Sequence, residues 1–244
     1  MSFTVKEALQ ALNSVLPASH QEVPNNFVYN YQSLIGAGLS VAAAAVGIFY
    51  LYRQINQTEA LAIRERLAKR TAARAVLVLT LSLINRYATQ SVSIYLLLLD
   101  KLVDNTLPRS IPFPAFPELP AGVIADLKEA ITYGDDIEKE AYAEIIRALQ
   151  VFIARQLGNS DANREHHIIA RENIEEEIID GAEIYARGSS LFDFARGNDT
   201  AQIEIAVSPA GISNALAIMG ILPGAHNRIW STVRRRYKIK AEKD

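Results

Sequence analysis

Cysteine is absent from this 244-residue chain. That removes disulfides, thiol nucleophiles and thiolate metal sites together. Motifs that carry chemistry are missing too. No HExxH and no Glu-x-x-His occurs, so no helix offers the paired ligands of a zinc protease or a di-iron site. No serine sits in a GxSxG elbow. Gly36-Ala37-Gly38 lies inside an apolar run, not between a strand and a helix where a phosphate loop belongs. His20 and His226 stand alone. His166-His167 precede Glu172, Glu175, Glu176, Glu177 and Asp180, but neither histidine has a carboxylate three or four residues after it. Those carboxylates therefore read as a solvated helix face. No enzymatic activity, cofactor or metal is expected on these grounds.

Charge is absent from one long stretch. Ser33 to Tyr52, SLIGAGLSVAAAAVGIFYLY, contains no Asp, Glu, Lys or Arg. Twenty such residues cover about 30 Å as a helix, the thickness of a bilayer's hydrocarbon core. The segment has no polar stripe to mark a solvent side. Tyr29 and Tyr31 precede its interior and Phe49, Tyr50 and Tyr52 close it, the arrangement of an interfacial aromatic belt. The preceding residues carry Lys6 and no arginine, whereas Arg53, Arg64, Arg66, Lys69, Arg70 and Arg74 follow. Basic flanks stay in the cytoplasm, so residues 1–32 are expected outside and 53–244 inside. Residues 1–17 themselves read as a short amphipathic helix behind a Thr4-x-x-Glu7 capping box, and 17–32 as a polar connection.

Proline and glycine are missing from Arg53 to Asn105, which is rich in Ala, Leu, Arg and Glu. Such a composition predicts a long helix continuing past the span. Its apolar half, Ala75 to Leu99, contains Arg86 at mid-length; a central arginine costs about 2.5–3.5 kcal/mol on insertion scales. A buried bundle helix is the expectation there. Five of the nine prolines then crowd into 108–120, with Phe113 and Phe116 between them. That spacing excludes a helix and predicts an extended strap covering the end of a bundle.

Three further helices follow. One ends near Gly134. The next has Ile137, Ala141, Ile145, Leu149 and Phe152 on its apolar stripe and a break at Gly158-Asn159-Ser160. The third, capped by Asp161 or Asn163, runs to about Phe194 with Ala170, Ile174, Ile178, Ala182 and Tyr185 on one side. Gln202–Val207 alternates like a strand but has no partner to pair with. Ser208-Pro209 has the order of a helix start, and Leu222-Pro223-Gly224 that of a turn before a last helix bearing Ile229, Trp230 and Val233.

The expected architecture is all-α: an N-terminal segment (1–32), one transmembrane helix (33–52), a cytosolic bundle of long antiparallel helices packed as in a coiled coil (53–194), and a C-terminal helical hairpin with a basic tail (195–244). Gly36, Ser40, Ala44 and Gly47 form a small-residue ridge on the span, where two helix backbones can approach closely, and predict a homo-oligomer. Arg64, Arg66, Lys69, Arg70 and Arg74, with Arg234, Arg235 and Arg236, are candidates for contact with acidic membrane lipid. The function expected is a membrane-anchored scaffold, adaptor or sensor subunit acting through a protein partner. Two alternatives are a permeabilising effector built on Ala75–Leu99 and a tethered helix-turn-helix at Ser208–Lys240. Net charge is -2, so nucleic acid is not the expected partner.

Overall fold

The structure is a computed structural model and describes residues 24–164, 168–198 and 202–239. Among these, helices and loops account for everything, and no strand forms beyond two isolated bridges. The helices are α1 (Pro24–Leu99), α2 (Val123–Tyr133), α3 (Asp136–Arg164), α4 (Arg171–Ser190), α5 (Phe192–Ala195), α6 (Pro209–Ile218) and α7 (Asn227–Tyr237). The contacts divide the chain after Ile63 into two units.

Of the first unit, α1 is the described part. The predicted polar connection at 17–32 is corrected: its residues from Pro24 onward belong to the helix, and the rest lies outside the described residues. The expected amphipathic helix at 1–17 also lies outside them. Absence of any Pro or Gly after Gly47 until the bundle lets α1 run 76 residues without interruption.

The second unit is a bundle around the C-terminal part of α1. Leu77, Leu81, Ile84, Ala88, Val92, Tyr95 and Leu98 repeat at three- and four-residue steps and are fully buried. Pairings fix the directions of the neighbours. Thr80 bonds Asp126 on α2 at 2.8 Å, while Lys69 sits 5.6 Å from the Tyr133 ring, so α2 runs against α1. Arg70 meets Glu138, and Tyr87 meets Gln156 at 2.7 Å, so α3 runs with α1. Asn85 donates to Ser189 at 3.0 Å, and α4 runs back again. The tight turn at Gly134-Asp135 reverses the chain between α2 and α3, whereas the longer proline-rich connection returns it from α1 to α2.

Two glycines set the α1–α4 approach. A β-carbon on Gly181 would overlap Val92, and one on Gly188 would overlap the Asn85 side chain. Both the glycines and their partners are seven residues apart, two helical turns, so the antiparallel pair is locked in register. The start of α4 is held to the segment that follows α1 by backbone bonds, Leu107 N to Ile169 O at 2.9 Å and Arg171 N to Asn105 O at 2.8 Å.

The proline-rich segment packs against the core through Phe113 and Phe116; the Phe116 ring lies 4.7 Å from that of buried Tyr95. Ser208 caps α6 by accepting from Gly211 N at 3.1 Å, with Pro209 at the first helical position. Trp230 of α7 is buried and donates from Nε1 to Ile221 O at 3.0 Å.

Several boundaries and faces depart from expectation. Gly158 does not break α3, which continues to Arg164; the residue is exposed and meets nothing, so its cost is only the roughly 1 kcal/mol of a helical glycine. Asp161 and Asn163 therefore lie within α3, and α4 begins at Arg171, where the Asn173 side chain accepts from Ala170 N at 3.2 Å. Ile137 is exposed and Glu138 takes the buried place, because Arg70 draws its carboxylate inward. Residues 202–207 are irregular, consistent with a strand that has no neighbour.

Candidate functional site

The most conspicuous surface is the apolar segment of α1. One stretch of this helix reaches a mean hydropathy of 2.1, long and apolar enough by length and composition to cross a membrane. Residues 31–63 are all exposed, with Leu34, Leu39, Val41 and Ile48 about two-thirds open or more. Exposed apolar surface on this scale marks a face for contact with a protein partner or a membrane. On it, Gly36, Ser40, Ala44 and Gly47 share one face at four-, four- and three-residue steps. The Ser40 hydroxyl donates to Gly36 O at 2.8 Å, so its hydrogen bond is made within the helix. A β-carbon at Gly36 or Gly47 would meet nothing within the chain.

The basic residues divide into two groups. Arg64 and Arg66 are exposed on α1, as are Arg234 and Arg235 on α7. The others serve the fold. Lys69 pairs with Glu65 at 2.7 Å. Arg70 grips Glu138 through Nε at 3.1 Å and through Nη2, and reaches Asp135 at 2.9 Å. Arg74 lies 4.0 Å over the Phe194 ring and donates to Phe194 O at 2.7 Å. Arg236 contacts Asp180 at 2.8 Å and Glu183 at 3.1 Å.

These last contacts give the acidic row of α4 its role. Arg228 pairs with Glu172 at 2.6 Å, and Arg236 lies 3.6 Å from Glu176. Tyr237 donates to Glu183 at 2.5 Å, and Arg187 donates to it at 2.7 Å. Burial acts to raise the Glu183 carboxyl, but the Tyr237 and Arg187 hydrogen bonds and the Arg187 and Arg236 charges outweigh it and leave it lowered. The row thus docks α7 along α4. Of Arg228 and Arg234–Arg236, the cations a helix-turn-helix would turn to phosphates, Arg228 and Arg236 pair with carboxylates of the same chain, and Arg234 and Arg235 are exposed.

The expected solvated face is corrected at two positions: Glu175 and Glu177 are buried. Glu175 has Arg228 at 3.5 Å. Glu177 is different. Its Oε2 has no hydrogen-bond partner, nor have Tyr95 Oη, Gln156 Nε2 and Ser91 Oγ, all in buried residues. Burial, then the Asp180 charge, pushes the Glu177 carboxyl up to about 8. Burial and the Glu177 charge also raise the Tyr95 phenol, and burial takes Tyr87 up to about 12. Sequence reasoning missed this polar core. The signal was a glutamate at the third position after Ile174 and the fourth before Gly181, squarely on the face that packs inward.

Among the described residues, no group of three or more His, Cys, Asp or Glu side chains is arranged to hold a metal ion. His20 and the His166-His167 pair lie outside the described residues. Comparison of the chain with protein-family models, curated proteins and solved structures finds no match.

Proposed function

We propose that the chain is a single-pass membrane protein whose helical bundle works by interaction, as a self-associating scaffold, adaptor or sensor subunit. Residues 33–52 cross the bilayer, residues 1–32 stay outside and the bundle lies in the cytoplasm. The observation that carries this reading is the exposed, uncharged run of α1, which no other part of the described chain covers. The arginine and lysine excess after the span supports the orientation. Arg64 and Arg66, free of the bundle's ion pairs, are placed to meet acidic headgroups.

Self-association follows from the small-residue ridge. In lipid no hydrophobic force pairs helices, so close backbone packing has to supply the attraction. Burial of Leu77, Leu81, Ile84 and Val92 in the bundle favours an interaction protein over an effector that would insert Ala75–Leu99.

Single cysteines at Ser14 and Lys128 test the orientation with an impermeant thiol reagent on intact cells. Labelling at position 14 alone is expected; labelling at 128 alone reverses the topology, and full extraction by alkaline carbonate removes the membrane reading. Gly36→Ile with Ser40→Ile should weaken cross-linked oligomers while leaving membrane insertion intact. An unchanged ladder would reduce the span to an anchor.

A further inference from the structure

A cleft of about 400 Å³ opens between the C-terminal half of α3 and the first two turns of α4. That volume lies within the range of small-ligand sites. Arg155 and Asn159 of α3 line one side, and Glu172, Glu176 and Glu177 line the other. Four of these five are ionisable, and three already have an ionic partner. Arg155 pairs with Asp180, Glu172 with Arg228, and Glu176 with Arg236. Glu177 alone of the four has a buried carboxylate oxygen without a hydrogen-bond partner, and the residue is 3% exposed.

A buried carboxyl with an unmade hydrogen bond costs roughly 1–3 kcal/mol, and more when ionised. Such a cost persists where something recovers it. Glu177 lines the cleft beside two further residues that offer accepting groups, the Glu176 carboxylate and the Asn159 amide. An anion would be repelled there. A metal lacks its ligand set. A primary ammonium has three N–H donors and one positive charge, and matches three accepting groups and one unbalanced acid.

We propose that this cleft binds a small organic cation of the alkylammonium class, its charge seated against Glu177 with Glu176 and Asn159 accepting its remaining N–H groups. The carboxyl acts on Tyr87 and Tyr95 of α1, Ser91 and Gln156 act on Tyr87, and Asp180 and Glu176 of its own helix act on the carboxyl. None of these brings a positive charge; Arg155 is the cation that does, and Asp180 holds it. Without ligand the carboxyl keeps its proton at neutral pH. Binding therefore releases a proton to solvent, and affinity depends on pH in one direction.

Putrescine is the probe, titrated calorimetrically into the full chain in detergent micelles at pH 6.5, 7.5 and 8.5. Saturable binding is expected, about 25-fold weaker at pH 6.5 than at pH 8.5 for an acid titrating near 8. Heats measured in buffers of different ionisation enthalpy should report close to one proton released at pH 6.5. Glu177→Gln, isosteric with the protonated acid, should retain helicity, lose tenfold or more in affinity at pH 8.5 and lose the pH dependence. Glu172→Gln, at the rim and bound to Arg228, should change affinity less than threefold. Absence of saturable binding, affinity independent of pH, or full binding by Glu177→Gln would each overturn the proposal. The wild-type pH series decides it even if a variant fails to fold.

Discussion

Replacing Arg70 by methionine removes the cation that holds the nearly buried Glu138 carboxylate. The Glu138 side chain is 2% exposed and accepts from Arg70 Nε and Nη2 and from Asp135 N at 3.0 Å. Methionine keeps much of the aliphatic stem and removes both guanidinium bonds. A fully buried pair broken in this way costs about 3–5 kcal/mol, and an exposed one less than about 1. Arg70 is 36% exposed, so water can reach the vacated side of the carboxylate. The expected loss is therefore intermediate, about 2–3 kcal/mol. Glu138→Gln removes the charge that needed the guanidinium but leaves Arg70 its 2.9 Å contact with Asp135, for about 1–2 kcal/mol. The double variant should then be no less stable than Arg70→Met alone, a coupling of about 1–2 kcal/mol. Urea unfolding of residues 64–244, followed by circular dichroism, measures all four species. Additive losses, or a loss below about 0.5 kcal/mol for Arg70→Met, would refute the assignment of this pair as the clasp between α1 and α3.

Three other outcomes are expected. Glu177 titrates near 8 in the folded chain against an ordinary 4.5, so the stability it contributes is full below about pH 4.5 and is lost as pH rises through 8; relative to wild type, Glu177→Gln should flatten unfolding free energy across that window, and an unchanged slope would count against a buried acid. Gly188→Ala should cost about 1–3 kcal/mol by urea unfolding, because its methyl displaces Asn85 from Ser189. Arg236→Ala should destabilise the docking of α7, detected as faster amide exchange there, and 1 M salt should shrink the difference from wild type; equal protection in both proteins would show that Trp230 and Val233 hold the helix unaided.

Local signals were legible wherever the partner lay close in sequence or the pattern repeated. The apolar run at 75–99 and the Ser208-Pro209 cap appear in the structure where expected. So does the strap, because proline spacing forbids a helix and its phenylalanines need cover. The failures share a cause. Glu138 turned inward for an arginine 68 residues earlier, and Arg236 left the expected basic tail for acids 53 and 56 residues away. Gly158 looked like a stop because a local rule carries no knowledge of the packed faces that hold α3 together on both sides of it. Glu177 was read as solvated from the charges around it, although its position among Ile174, Ile178 and Gly181 put it inside.

The paired glycines at 181 and 188 also have a mechanical meaning. Val92 and Asn85 occupy the two places where α4 has no side chain, so displacement of α1 along its axis would drive both against the flanking residues of α4 at once. Force applied lengthwise to α1 is then borne in shear by the whole α1–α4 contact, with the Asn105–Arg171 and Leu107–Ile169 backbone bonds loaded together. A bundle with smooth helix faces would yield one turn at a time. Here the two interlocked places oppose stepwise slippage of α1 past α4.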